Sequence, residues 1–101
     1  MKDKLETYLG FAIRSGNIVY GVDNIEAKIS KIYLIIYDRR LSENGVNKLH
    51  NVSKKNQVDT LISEATIDDL INKQNCKAIG ITSKDLAKAI QELNILEEVR
   101  R

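Results

Sequence analysis

Side chains that could do acid–base or nucleophilic chemistry are few in this sequence. His50 is the only histidine and Cys76 the only cysteine, and neither has the other kind of group nearby along the chain. A histidine needs a positioned partner to act as a general acid or base, and a thiol needs a base to become a nucleophile. We therefore interpret His50 as a solvated surface residue and Cys76 as a structural thiol. The sequence predicts no enzyme, no catalytic residue, no cofactor and no metal ligand.

The paired carboxylates Asp68 and Asp69 have an equally simple explanation. They follow Thr66 by two and three positions and precede the apolar pair Leu70-Ile71. Thr66 suits the cap of a helix, and carboxylates in a first turn are stabilised by the helix dipole. We interpret this segment as a helix start and not as an acid pair for catalysis.

The stretch RSGNIVYGVDNIEAKI, residues 14 to 29, offers binding chemistry instead. Gly21 separates a short apolar run from the polar residues Asp23 and Asn24. A glycine lets a nucleic-acid backbone come close because it has no side chain. An Asn amide can pair with a base edge, and a carboxylate can accept from an exocyclic amine. A plain helix cap explains the same residues, and local chemistry leaves both interpretations open.

Size and composition favour a globular protein. The chain has 101 residues, of which 43% are apolar and 30% charged, so we predict a single domain over residues 1–101. The longest apolar run, residues 32–37, is too short to cross a bilayer. One cysteine and no signal-like opening segment predict a cytoplasmic protein. The net charge is only +2, but five cations lie between residues 38 and 55: Arg39, Arg40, Lys48, Lys54 and Lys55.

Hydrophobic periodicity predicts alternating helices and strands. Helical spacing of apolar residues indicates helices at 2–15, after Gly21, after Ser42, after Thr66 and after Ser83. Short apolar or β-branched runs indicate strands at 17–20, 32–37, 58–62 and 77–82. This order, α-β-α-β-α-β-α-β-α, predicts a three-layer α/β/α sandwich around a four-stranded mixed sheet. Residues 32–36 and 78–81 lack charge on either face, so we expect them to form the innermost strands.

Four segments carry a resemblance to a known family: LGFAIRSGNIVYGVDNIEAKI, KIYLIIYD, VDTLISEATIDDL and KAIGITSKDLAKAI. In this order they resemble the kink-turn-binding ribosomal proteins, the superfamily of the archaeal large-subunit protein L-seven-Ae and the eukaryotic L-thirty-e. The likeness covers about residues 4 to 93 and is closest to the small bacterial YlxQ-type proteins. It implies an α/β/α fold and a non-catalytic, ribosomal-protein-like chain in a cytoplasmic ribonucleoprotein. The expected partner is structured RNA, typically a kink-turn with tandem sheared G·A pairs.

The resemblance also implies which residues contact RNA. The family's Gly-x-Asn-Glu-like signature at the start of the second helix falls on residues 21–24. Its loop before the fourth helix falls on residues 62–65. A family lysine after the first glycine corresponds to Asn17, and Lys28 lies one place from a second family lysine. The implied RNA-binding residues are Arg14, Asn17, Gly21, Val22, Asp23, Asn24, Lys28, Ile62, Ser63 and Glu64.

Two signature positions depart from the family pattern. Asp23 replaces the usual Asn, and Asn24 replaces the usual Glu. A carboxylate cannot donate to a guanine carbonyl, and each good base contact is worth about 1–3 kcal/mol. Together with Glu64, the departures favour a second hypothesis, a protein-interaction module of the same fold that has lost RNA binding and associates with the ribosome or translation factors. RNA binding by a monomer is the leading hypothesis.

Overall fold

One mixed sheet organises the protein, seen in a computed structural model that describes residues 2–93 and 97–98. Within these residues the strands are ordered β1-β4-β2-β3-β5. Their bounds are β1 (Ile18–Tyr20), β2 (Leu34–Asp38), β3 (Asp59–Ser63), β4 (Ala78–Ile81) and β5 (Glu97–Glu98). The four predicted strands are all present, and β2 and β4 are interior strands as expected.

The fifth strand is an addition to the prediction. Glu97 and Glu98 pair antiparallel with Ile62 and Leu61 of β3. Residues 94–96 and 99–101 lie outside the described residues.

The helices alternate with the strands in the predicted order. Their bounds are α1 (Lys2–Arg14), α2 (Val22–Ala27), α3 (Glu43–Asn56), α4 (Ile67–Ile71) and α5 (Lys84–Gln91), with a 3₁₀ turn at Ile29–Lys31. Three begin at side-chain caps. The hydroxyls of Ser42, Thr66 and Ser83 accept hydrogen bonds from backbone N–H groups three residues ahead, as capping residues do.

Two apolar clusters bury the two faces of the sheet. In β2, Leu34 and Ile36 point to a cluster shared with α1, α4 and α5, whereas Ile35 and Tyr37 point to one shared with α2 and α3. All five residues of β2 are therefore buried. This arrangement is the predicted three-layer α/β/α sandwich, and it explains why β2 is an unbroken apolar run and not an alternating one.

Strand directions decide which loops meet. β4 is antiparallel to both β1 and β2, while β3 is parallel to β2. Residues that follow β1, β2 and β3 therefore share one end of the sheet with the residues that precede β4. We call this the Gly21 end. The opposite end, where Asn17 enters β1 and Thr82 leaves β4, is the Asn17 end. The two residues are tied there by a hydrogen bond from Thr82 N–H to the Asn17 carbonyl of 3.0 Å.

Gly80 marks a close approach between β4 and the side chain of Ile32. A Cβ at this position would lie 2.7 Å from Ile32 Cδ1, well inside van der Waals contact. Ile32 lies immediately before β2 and is buried on the α2 and α3 side. The glycine therefore allows Ile32 to cover the centre of β4.

We expect Gly80→Ala to lower the free energy of unfolding by about 1–3 kcal/mol, because it overfills a dense core. Ile32→Val removes the Cδ1 atom and should cost about 0.5–1.5 kcal/mol alone. The double variant should be less destabilised than the sum of the two, measured by urea unfolding. Strict additivity would mean that the Ile32 contact does not cause the loss.

Candidate nucleic-acid interface

Gly21 adopts a conformation that other residues rarely take. Its φ is 87° and its ψ 153°, a region that is essentially restricted to glycine. Its N–H donates to the Ala78 carbonyl at 2.9 Å, which fixes it to β4. A Cβ on Gly21 would meet nothing within 4 Å. Packing therefore does not require this glycine. The backbone conformation at position 21 does require a glycine, and open space lies in front of Gly21.

Two grooves lie near Gly21, and both are lined by Val22 and Leu41. The first, which we call the Lys77 groove, has a volume of about 220 Å³ and is also lined by Gly21, Asn75, Lys77 and Ala78. The second, which we call the amide groove, has a volume of about 560 Å³. It is also lined by Asp23, Ser42, Asn44, Gly45, Asn47, Lys48 and Asn51. The start of α2 thus forms a wall between two polar depressions.

Asp23 faces the amide groove and is paired with a cation from α3. Its Oδ1 lies 3.2 Å from Lys48 Nζ, and the two side chains are 88% and 52% exposed. The hydrogen bond to Asp23 raises the pKa of Lys48 above its usual value, and the charges of Asp23 and Glu26 add to the effect. An exposed pair of this kind contributes little to stability. Its chemical consequence is that an acceptor and a donor lie side by side at the groove.

Asn24 uses one of its two amide hydrogens within the fold. Its Nδ2 donates to the Tyr20 carbonyl at 2.9 Å, the last residue of β1. The side chain therefore closes the turn around Gly21. Of the two polar signature residues, Asp23 is the one that faces a groove.

A buried carboxylate organises the loops at this end of the sheet. Asp38, only 1% exposed, accepts from Ile67 N–H at 2.8 Å and from Arg40 N–H at 2.9 Å. It also binds the Arg40 guanidinium, with Nη2 at 2.8 Å from Oδ2. Burial raises the pKa of Asp38, but these hydrogen bonds outweigh burial and hold the pKa below its usual value.

The same guanidinium continues the network to the loop before β4. Arg40 contacts Asp68 at 3.2 Å and the Cys76 carbonyl at 3.1 Å. Asp68 accepts from the N–H groups of Asn75, at 3.1 Å, and Cys76, at 2.7 Å. The hydrogen bond to Arg40 is the main reason that the pKa of Asp68 is also lowered. The guanidinium of Arg40, one of the five cations between residues 38 and 55, is therefore bonded within the fold. Asp68 fastens a loop, in addition to standing in the first turn of α4.

The second predicted RNA-facing segment contributes little exposed surface. Ile62 is half-buried and packs on the α2 and α3 side. Ser63 is buried, and its hydroxyl donates to the Ala65 carbonyl at 2.8 Å. Glu64 alone is fully exposed. This loop lies at the Gly21 end, but two strands separate β3 from β1.

Three other predicted residues lie away from the Gly21 end. Asn17 precedes β1 at the opposite end of the sheet and bonds to Ser15 and Thr82. Arg14 ends α1 there, with its guanidinium 4.9 Å from the centre of the Phe11 ring. Lys28 follows the last turn of α2. Gly21, Val22 and Asp23 are therefore brought together with groove residues, whereas Arg14, Asn17 and Lys28 are not.

His50 and Cys76 have structural surroundings. The interpretation of His50 as a solvated residue is wrong: it is half-buried, and its Nε2 lies 3.3 Å from the Tyr37 hydroxyl. Cys76 is buried, as a structural thiol should be, and burial raises its pKa above the usual value. No group of three or more His, Cys, Asp or Glu side chains in the described ranges could hold a metal ion.

Sequence reasoning missed the partners that surround Gly21. Asn75 and Lys77 reach it only through the antiparallel pairing of β1 with β4, which no local pattern reveals. The groove residues Asn44, Asn47 and Asn51 did have a signal, since they recur at helical spacing within α3.

Comparisons with known proteins support the fold but do not indicate a function. No protein-family model matches the chain, and no curated protein matches it either. A solved structure of a protein of unknown function from Bacillus halodurans superposes with a TM-score of 0.81 at 17% identity, covering 89% of this chain and 95% of that one. In residues 2–93 and 97–98, none of the helices is long and apolar enough to span a membrane.

We expect Asp38→Asn to lower the free energy of unfolding near pH 7 by about 1–3 kcal/mol, because the amide NH₂ cannot accept the hydrogen bonds that one carboxylate oxygen now receives, so a buried donor is left unsatisfied. The folded pKa of Asp38 is below that of the unfolded chain, which is near 3.9. Its contribution is thus complete above that value and is lost as pH falls through the folded pKa. The wild-type and variant stabilities, measured by urea unfolding from pH 7 to 2.5, should converge in acid.

Asp69→Asn is the matched control, because Asp69 is an exposed carboxylate one position from the network residue Asp68. Its stability should follow that of the wild type at every pH. If the Asp38→Asn curve runs parallel to the wild-type curve down to pH 2.5, the charge of Asp38 does not stabilise the fold.

Proposed function

We propose that this protein is a non-catalytic, ribosomal-protein-like RNA-binding protein of the cytoplasm that recognises structured RNA, of the kinked type, at the Gly21 end of the sheet. One observation carries the proposal. Gly21 is held in a glycine-only conformation with open space before it, and it lines the Lys77 groove, which shares Val22 and Leu41 with the amide groove. A conformation that only glycine adopts easily, at a position where packing does not require a glycine, motivates a functional hypothesis. A backbone without a side chain lets a polymer come close.

The charges beside Gly21 suit a phosphate backbone. Lys77 is exposed and lines the groove next to the glycine. The Lys73 ammonium lies 4.0 Å from the centre of the Tyr20 ring. Tyr20 is the last residue of β1, the strand that leads into Gly21. Cations at such positions contact phosphates and fix the register of the RNA, while neighbouring polar groups read its bases.

The changed signature is compatible with base reading in a different form. Asp23 accepts hydrogen bonds only, but Lys48 places a donor 3.2 Å from its carboxylate. Together the two side chains present an acceptor and a donor, as one Asn amide would. Asn24 then acts by shaping the turn through the Tyr20 carbonyl.

A protein-interaction module is the second candidate, and one observation favours it. Asp23 is 88% exposed and negative where an RNA would approach, and exposed Glu64 lies at the same end of the sheet. Such charges repel a polyanion and would suit a basic protein surface.

The test is a titration of a kink-turn RNA and a matched plain duplex at several salt concentrations. The wild type should prefer the kink-turn. Lys77→Gln should weaken both RNAs about equally and reduce the salt slope by about one, as expected for one lost phosphate contact. Asp23→Ala should weaken the kink-turn by about tenfold and the duplex less, because a base contact is lost.

Lys84→Gln is the matched control, since Lys84 is an exposed lysine at the start of α5 on the other side of the sheet. It should leave both affinities unchanged. A wild type without preference for the kink-turn at any salt would contradict RNA recognition and favour the protein-interaction module. Gly21→Ala is a poorer probe, because its positive φ would cost about 1–3 kcal/mol of folding energy.

A further inference from the structure

A row of three asparagines follows one face of α3. Asn44, Asn47 and Asn51 are exposed and line the amide groove, since residues three or four positions apart lie on the same side of a helix. None of the three amides has a side-chain hydrogen bond within the described part of the chain. The amides of Asn24 and Asn56, by contrast, donate to backbone carbonyls. The row is therefore available to a ligand.

Neutral amides select a particular chemistry. A phosphate is best bound by cations, whereas an amide offers one acceptor and two donor hydrogens to groups that both donate and accept. The hydroxyl is such a group. Lys48 lies in the same row and neutralises Asp23 across the groove. The carboxylate can then accept from a hydroxyl without presenting a full uncompensated charge to an anionic strand.

The shape of the row suits a strand and not one small molecule. From Asn44 to Asn51 the helix rises about 10 Å at 1.5 Å per residue, so the amides are spread along the groove. The amide groove shares Val22 and Leu41 with the Lys77 groove, which is the groove that Gly21 lines. A polymer that contacts Gly21 can continue into it.

We propose that the amide groove binds the ribose 2′-hydroxyl edge of an RNA strand that continues from the Lys77 groove beside Gly21. This contact gives the protein its preference for RNA over DNA. This inference rests on the proposed RNA-binding function. The 2′-hydroxyl both donates and accepts, and it is the group that distinguishes RNA from DNA at a given site.

The experiment combines two changes, one in the protein and one in the RNA. The probe is a kink-turn RNA in which each flanking stem in turn carries deoxyribose while the kink nucleotides keep ribose. The wild type should lose about tenfold affinity when one of the two stems is deoxyribose, corresponding to one or two hydrogen bonds. The variant Asn44→Ala/Asn47→Ala/Asn51→Ala should bind the all-ribose RNA about tenfold more weakly than the wild type does. Its affinity should not fall further when that stem carries deoxyribose.

Asn56→Ala is the matched control, because Asn56 is an exposed asparagine of the same helix that does not line the groove. It should retain the wild-type preference for ribose. The inference is overturned if the wild type binds both deoxyribose probes as tightly as the all-ribose RNA. It is also overturned if the triple variant loses the same factor as the wild type, since stem shape would then cause the loss. Absence of any kink-turn binding by the wild type would instead contradict the proposed function itself.

Discussion

The carboxylate of Asp38 is the group on which the Gly21 end of this protein depends. It ends the central strand in a buried position, where an unpaired charge would be costly, and it is satisfied by two backbone N–H groups and the Arg40 guanidinium. Those bonds join the end of β2 to the first residue of α4. Through Arg40 they reach Asp68 and the loop before β4. One buried charge thereby sets the relative position of three chain segments.

That fixed end of the sheet is what gives Gly21 its neighbours. The loop fastened by Asp68 contains Asn75 and leads into Lys77, and both line the groove beside the glycine. Gly21 is itself tied to β4 through the Ala78 carbonyl. The candidate interface is therefore built on rigid strand ends and not on a free loop, which suits recognition of an RNA with a defined shape.

The sequence by itself determined the helices α1 to α5, the strands β1 to β4 and their layers, because these follow from local periodicity and capping. Several features can be recognised in the sequence alone: the apolar run of β2, the caps Ser42, Thr66 and Ser83, and the glycine before α2. The sequence also indicated Gly21 as the place to look. The backbone angle of Gly21, φ 87°, could not be predicted from the sequence, since a glycine tolerates either sign of φ.

Only the tertiary structure decided which residues share a surface. Strand direction places Lys77 beside Gly21 and sends Asn17 to the other end of the sheet, although Asn17 is far nearer to Gly21 in sequence. Folding likewise pairs Arg40, one of the five cations between residues 38 and 55, with the buried carboxylate of Asp38. These outcomes depend on pairing between distant segments and on the cost of an unpaired buried charge. Neither quantity is encoded in any local stretch of the chain.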